Sequence, residues 1–265
     1  MQHHFAVRAA TRIAAAALVA SVALPVFARA EGPRCDGQFK LVRFANPLSR
    51  VGHKLAAREP ITIVAIGSSS TAGAGASSPA ATYPSRLQAE LRERFKTSAI
   101  TVINRGIGGE EVTDMLKRFD QAVIAAKPDL VIWQLGTNSV IRDHQIGDHG
   151  AAIHAGIEKI RGTGADIVLL DPQYAPKVIA KEGAAAMVQL IATTAKQEDI
   201  DLYPRFEVMR HWRDDGHLDF KAFLSADGLH MNDWSYACLA KSLGLAIAEA
   251  AQRPVVSAAV HAFAD

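Results

Sequence analysis

Apolar and polar positions come in blocks along this chain. Residues 61–66 form an uncharged run rich in β-branched side chains, and it stops at Gly67 before Ser68, Ser69, Ser70, Thr71 and Gly73. A short apolar run bounded by turn residues predicts a strand buried on both faces that ends in a tight loop. Thr82 and Pro84 then open a helix over 83–95, in which Leu87, Leu91 and Phe95 recur at helical spacing. A second strand is predicted over 100–104. A helix comes next over 110–125, where Glu110, Glu111 and Asp114 suit the positive end of a helix dipole. The pattern continues with a strand over 130–135, a helix over 151–161, a strand over 166–170, a helix over 178–196 and a short strand over 200–203. Asn232 and Asp233 cap a closing helix that runs to about residue 251.

Five strands, each followed by helix, predict one doubly wound α/β domain: three layers with a five-stranded parallel sheet in the middle. Ahead of it, residues 31–60 are rich in proline and glycine, with a short helix over 48–57, and read as an arm wrapped on the domain. In such a sheet ligands sit outside the carboxyl ends of the strands, so chemistry is expected at the loop after the first strand.

Composition changes this picture mainly at the N-terminus. The 265 residues are 49% hydrophobic and 21% charged, enough for a sizeable core. The 29 basic and 27 acidic residues are scattered, so neither a nucleic-acid footprint nor a solvating tail is indicated. Arg8 and Arg12 precede an apolar run over 13–27, and Ala28, Arg29 and Ala30 come after it as an A-x-A site, the pattern of a secretory signal peptide. The run is about fifteen residues long where a spanning helix needs about twenty, so cleavage after Ala30 is expected in place of a membrane anchor. The organisation expected is thus a leader over 1–30, the arm over 31–60, a domain over 61–253 and a tail over 254–265. The mature protein is expected in the periplasm or outside the cell, as a monomer with neither stable membrane insertion nor a nucleic-acid partner. In an oxidising compartment Cys35 and Cys238 are expected to pair, stapling the arm to the last helix with about 3–5 kcal/mol of stabilisation; two separate thiols are the alternative.

A serine becomes a nucleophile only with a base to take its proton and an acid to orient that base. Ser69 lies in the hydroxyl-rich loop, although such loops are mostly turns or caps. Asp227 and His230 stand three residues apart just before the last helix, a spacing that can lay a carboxylate against Nδ1 and leave Nε2 free. Acyl transfer also needs donors for a developing oxyanion. Gly109, in the loop after the second strand, and Asn138, after the third, are candidates at the same rim of the sheet. No metal is expected: neither cysteine has a ligand neighbour, and His144, His149 and His154 are spaced five apart on what reads as a polar loop and helix face. A P-loop would need a lysine after the glycines, the dinucleotide fingerprint lacks its third glycine, and the G-x-S-x-G elbow has Thr71 at its second glycine.

In order along the chain, GSSST, NRGIGG, GTN and DGLH resemble the four conserved blocks of the SGNH hydrolase superfamily, the GDSL-type esterases and lipases, over residues 61–235. The resemblance implies Ser69 as nucleophile and oxyanion amide, Gly109 and Asn138 as further oxyanion donors, Asp227 and His230 completing the triad, a flavodoxin-like fold, and no cofactor. Two positions depart from the pattern. Ser68 replaces the aspartate of Gly-Asp-Ser, and Ser139 that of Gly-x-Asn-Asp. Neither is the nucleophile or its base, so the triad is kept while support of the loops is altered. Ser68 and Ser70 remain alternative nucleophiles, with Gly67 before and Thr71 after favouring Ser69.

The function expected is an exported serine esterase working through an acyl-enzyme, foremost on an O-acetyl group of a carbohydrate, with small acyl esters, thioesters and lipids as other substrates. An acyltransferase that passes acetyl to a glycan would use the same residues, and a non-catalytic carbohydrate-binding protein is the reading that the altered first block alone supports. Trp133, Tyr174, Trp212 and Trp234 are candidates for a sugar-stacking surface, although Trp133 on a central strand reads as core. No amphipathic insertion suggests the apolar flap of a phospholipase.

Overall fold

The computed structural model describes residues 1, 35, 37–97 and 99–253. The leader expected over 1–30 and the tail expected after residue 253 lie outside the described residues, Met1 apart. Compact contacts divide the chain into residues 1–34 and 35–265, and every strand and helix among the described residues belongs to the second unit. Among the described residues no helix is long and apolar enough to cross a membrane.

The apolar runs form five parallel strands, β1 Ile61–Gly67, β2 Ile100–Gly106, β3 Leu130–Gln134, β4 Asp166–Leu170 and β5 Asp201–Tyr203, in the order β2-β1-β3-β4-β5. This is the flavodoxin-like order, whose direction of winding reverses between β1 and β3 and opens a crevice at their carboxyl ends. The two central strands are uninterrupted apolar sequence because both their faces are covered: Val64, Ala65, Ile66 and all of Leu130 to Trp133 are inaccessible. Edge strand β2 instead carries exposed Thr101, Asn104 and Arg105.

Helix α1 (Ser49–Ala56) is followed by a single turn, α2 (Ser69–Ala72), and by α3 (Tyr83–Phe95). The helix expected over 110–125 is broken into α4 (Val112–Lys117) and α5 (Phe119–Ala122). Arg118 leaves helical geometry between them (φ −110°, ψ 7°), and its guanidinium clasps Glu110 at 2.7 Å and the Arg105 carbonyl at 2.8 Å. Next come α6 (Thr137–Ile141) and α7 (His149–Arg161). The helix expected over 178–196 is two helices, α8 (Pro176–Ile179) and α9 (Gly183–Gln197). The chain closes with α10 (Arg205–Asp214), α11 (Phe220–Phe223) and α12 (Asp233–Ala251). One layer gathers α1, α3 and α12, and the other places α7 between α4 and α9.

Thirteen of the nineteen residues of α12 are buried, so it needs cover on nearly every side. The arm supplies part of it. Gln38 Nε2 donates to the Cys238 carbonyl at 2.9 Å, Leu48 N to the Ala250 carbonyl at 3.2 Å, and Cys35 is disulfide-bonded to Cys238 with Cα atoms 5.4 Å apart. The arm and α1 are anchored at the amino ends of three strands by aspartates. Asp166 accepts the Arg50 and Val51 amides at 3.2 and 2.9 Å, first-turn donors of α1 that Leu48 cannot cap. Asp201 accepts the Ala45 and Asn46 amides at 2.7 and 3.2 Å, and Asp129 joins Arg50 Nε to Thr62 N at 2.9 and 3.0 Å.

At the other end of the sheet, Arg205 is 1% exposed and donates Nε to the Asp171 carbonyl at 2.9 Å. The Asp171 carboxylate accepts Phe206 N at 2.9 Å. Burial pushes the Asp171 carboxyl up to about 7, against the pull of that amide and of Arg205.

The disulfide and the buried aspartate each make a measurable contribution to stability. Joining residues 203 positions apart removes chain entropy from the unfolded state, so the doubly substituted Cys35→Ser, Cys238→Ser protein should unfold with about 3–5 kcal/mol less stability, read from the urea midpoint. An unmoved midpoint would contradict it. For Asp171 the folded state holds the proton more tightly than the unfolded chain, so this group's contribution is full below about pH 4. It declines by at most about 1.4 kcal/mol per pH unit as pH rises toward 7. Asp171→Asn should flatten that slope relative to the parent in thermal melts between pH 4 and 7, and parallel curves would refute the raised carboxyl.

Candidate active site

The loop after β1 is held by a polar residue that closes β3. Gln134 is 1% exposed, and its Oε1 accepts Ser68 N at 2.8 Å, Ser68 Oγ at 3.0 Å and Thr71 Oγ1 at 3.3 Å. Ser68, which departs from the Gly-Asp-Ser pattern, is therefore a buried anchor, and Ser70 is buried too. Of the three serines only Ser69, the first residue of α2, is partly exposed. The turn of α2 lies directly on the end of β2. A Cβ on Gly106 would fall 2.1 Å from Ala72 N, so only glycine admits this approach. Residues 105 and 106, beyond the strand expected over 100–104, accordingly finish it, with Gly67 paired to Gly106.

Asp227 and His230 sit on a small hairpin locked to the start of α12. Leu224 bridges Met231, and Ser225 N donates to the His230 carbonyl at 2.8 Å. Asn232 and Ser235 cap the helix reciprocally, at 3.1 and 3.0 Å, while Ser235 Oγ donates to the Phe223 carbonyl at 2.6 Å. On this support, His230 Nε2 lies 2.8 Å from Ser69 Oγ and His230 Nδ1 lies 2.5 Å from Asp227 Oδ2. The other carboxylate oxygen, Oδ1, accepts Ser225 Oγ at 2.7 Å and the Leu229 and His230 amides at 2.9 Å each. Burial acts to raise the Asp227 carboxyl. The hydrogen bonds from His230, Ser225 and Leu229 outweigh it and hold the group far below the usual carboxylate range. Such a relay lets an imidazole draw the proton from a hydroxyl while a fixed negative charge favours the imidazolium that forms.

The 107–111 loop closes over the same edge. Ile107 N donates to the Gly67 carbonyl at 3.0 Å, and a methyl group built on Gly108 would lie 3.8 Å from Ser69 Cβ. Gly109 takes φ +82°, which a side chain would strain, and its N–H has no partner among the described residues. Asn138, in the first turn of α6, donates one Nδ2 proton to the Glu110 carbonyl at 2.7 Å and has a second to offer. Gln173, just past β4, accepts Thr137 Oγ1 at 2.8 Å and reaches the Leu229 carbonyl at 3.5 Å, linking α6 to the hairpin.

Several expected sites lie elsewhere. Trp133 is core, as its place on a central strand implied, with Nε1 on Met115 Sδ at 3.1 Å, whereas Trp212, a stacking candidate, is buried with its indole N–H on Gln38 and offers no stacking face. His149, expected on a polar face, is 8% exposed at the start of α7. His144 pairs with Glu111 at 2.9 Å, and His154 with Glu198 at 2.7 Å. Ligand atoms of His154, Glu158 and Glu198 come within 4.8 Å of one another, but Arg161 binds both carboxylates, at 2.7 and 2.6 Å, and puts a cation there already. Glu111, Gln134, Gln173 and Arg205 do not stand out in the sequence as parts of a site. The signal that could have found Gln134 and Gln173 is a polar residue directly ending or following a buried strand.

Several known proteins resemble the chain that carries this geometry. The model of the non-GDSL lipase-like family matches residues 34–253. A curated acetylxylan esterase of Geobacillus stearothermophilus is 38% identical over 56 residues, 21% of this chain and only 26% of that protein's length. Among solved structures, a catalytic mutant of an acetylxylan esterase from Geobacillus stearothermophilus aligns with a TM-score of 0.59 at 20% identity, over 71% of this chain and 94% of that one. A two-domain esterase active on acetylated mannans aligns with a TM-score of 0.66 at 19% identity, covering 83% and 58%. A lipase/acylhydrolase from Enterococcus faecalis aligns with a TM-score of 0.60 at 22% identity, covering 71% and 95%. At these identities the structural likenesses speak for the fold.

Proposed function

The chain belongs to the non-GDSL lipase-like family, and from that premise we propose that it is an exported serine esterase of the SGNH type, removing O-acetyl groups from carbohydrate through an acyl-enzyme. The observation that carries this reading is the unbroken chain from Ser69 Oγ through His230 at 2.8 Å to Asp227 at 2.5 Å. Ser69 Oγ attacks the ester carbonyl carbon as His230 Nε2 takes its proton. The oxyanion that forms is held by the Ser69 and Gly109 amides and the second Nδ2 proton of Asn138. His230 then protonates the departing sugar oxygen, the acyl C–O bond to the sugar breaks, and water repeats the sequence to release acetate. Asp227 keeps Nδ1 protonated and Nε2 basic.

Three features support a small acyl group on a carbohydrate. The neighbouring folds include esterases of acetylated xylan and mannan. A cavity of 480 Å³ adjoins the Asp227 hairpin, lined by Phe220, Lys221, Leu224, Ser225, Ala226 and Gly228, and Tyr174 stacks on Phe220 with centroids 5.9 Å apart. The loop beside Ser69 presents a single exposed Ile107 in place of the broad apolar surface a lipid would need. Export is supported by the leader pattern over 1–30 and by the Cys35–Cys238 bond, which persists in oxidising compartments.

The test is release of acetate from acetylated xylan or mannan, and hydrolysis of para-nitrophenyl acetate, by residues 31–265. Ser69→Ala should abolish both. Asp227→Asn keeps an acceptor at Oδ1 but turns a donor toward Nδ1, so kcat should fall by about 10³- to 10⁴-fold with KM little changed. Equal turnover in the parent and Ser69→Ala proteins would sink the mechanism. Preference for long-chain esters over acetate would sink the substrate class.

A further inference from the structure

Glu111 is 9% exposed and holds three donors from one neighbouring segment. Its Oε2 accepts Ser139 Oγ and His144 Nδ1, each at 2.9 Å, and its Oε1 accepts Arg142 Nη1. Ser139 lies beside Asn138 in α6, while Glu111 is two residues beyond Gly109. The same guanidinium reaches back with Nη2 to the Gly109 carbonyl at 2.9 Å. Burial acts to raise the Glu111 carboxyl, but the bonds from Arg142, His144 and Ser139 outweigh it and lower it, so the acceptor stays ionised. Both carboxylate oxygens are thus engaged by donors of residues 139–144. The lacing joins the 107–111 loop, which carries the Gly109 amide, to the α6 segment, which carries the Asn138 side chain.

We propose that Glu111 is a positioning residue that fixes the Gly109 N–H and the Asn138 amide relative to each other, so that oxyanion stabilisation depends on a carboxylate that touches no reacting atom. The inference rests on the esterase reading above. Donors fixed in advance act on the transition state at no cost of reorganisation, and a displacement of about 1 Å costs about 100-fold in rate. Glu111→Gln keeps size and one acceptor but presents an NH₂ to donors on its other side. Ser139→Ala removes one bond and leaves the carboxylate in place.

The experiment compares parent, Glu111→Gln, Ser139→Ala and Ser69→Ala proteins with para-nitrophenyl acetate, and with a trifluoromethyl ketone whose Ser adduct bears a tetrahedral oxyanion. Circular dichroism melts establish which variants are folded. In Glu111→Gln, kcat should fall about 10- to 100-fold with KM within about threefold, and the inhibition constant of the ketone should rise by the same factor as kcat falls. Ser139→Ala should move both quantities together and less far, and it decides the question should Glu111→Gln not fold. A folded variant with kcat within about threefold of the parent, or with reduced kcat and unchanged ketone affinity, would overturn the positioning role. Parent hydrolysis that survives Ser69→Ala would instead overturn the esterase reading on which it stands.

Discussion

The side-chain carbonyl of Gln134 is the contact on which the site's geometry rests. A strand buried on both faces can carry a polar group only if that group is fully hydrogen-bonded. Gln134 satisfies its side-chain carbonyl by spending Oε1 on Ser68 and Thr71, either side of the partly exposed Ser69. The requirement for satisfaction in the core thereby becomes a positional constraint on a hydroxyl at the surface. Gln173 repeats the device one strand along, tying α6 to the hairpin of Asp227 and His230. Adjacent strand ends of one sheet thus hold residues 69, 138 and 230 in register.

What could be read from the sequence was whatever is written locally. The runs at 61–66, 130–135 and 166–170 announce buried strands, the spacing of Leu87, Leu91 and Phe95 announces α3, and the three-residue spacing of Asp227 and His230 suffices for a carboxylate–imidazole pair. What escaped depends on partners distant in the chain. Arg118 breaks the helix expected over 110–125 because Glu110 and the Arg105 carbonyl, both earlier in the chain, draw its side chain away. Residues 105 and 106 look like the start of a glycine turn, yet they stay in strand pairing because β1 offers them partners as far as Gly67. Helices α10 and α11 carry mixed sequence whose periodicity is too weak to stand out. They become helical where Val208, Met209, Trp212 and Phe223 find the core. Glu111 looks like a first-turn acid suited to a helix dipole, and only the fold reveals it as the meeting point of Ser139, Arg142 and His144.

The two ends of the sheet use their acids differently. At the amino ends, Asp129, Asp166 and Asp201 each accept backbone amides and hold the arm and α1 in place. At the carboxyl ends, Asp227 and Glu111 also hold side-chain donors, Ser225 and His230 on the one and Ser139, Arg142 and His144 on the other, and these bonds lower both carboxyls. Anchoring and polar chemistry are thus separated by the length of the strands, so substitutions in one set need not disturb the other.

The bond between Cys35 and Cys238 closes a ring that contains all five strands and both Ser69 and His230. A protease that cuts the backbone once anywhere inside that ring does not release a fragment. The two pieces remain a single covalent molecule, and the serine stays leashed to its histidine even when the cut falls between them. Wherever such a chain meets proteases, a nick in an exposed loop is then damage to one peptide bond and not the loss of half a site.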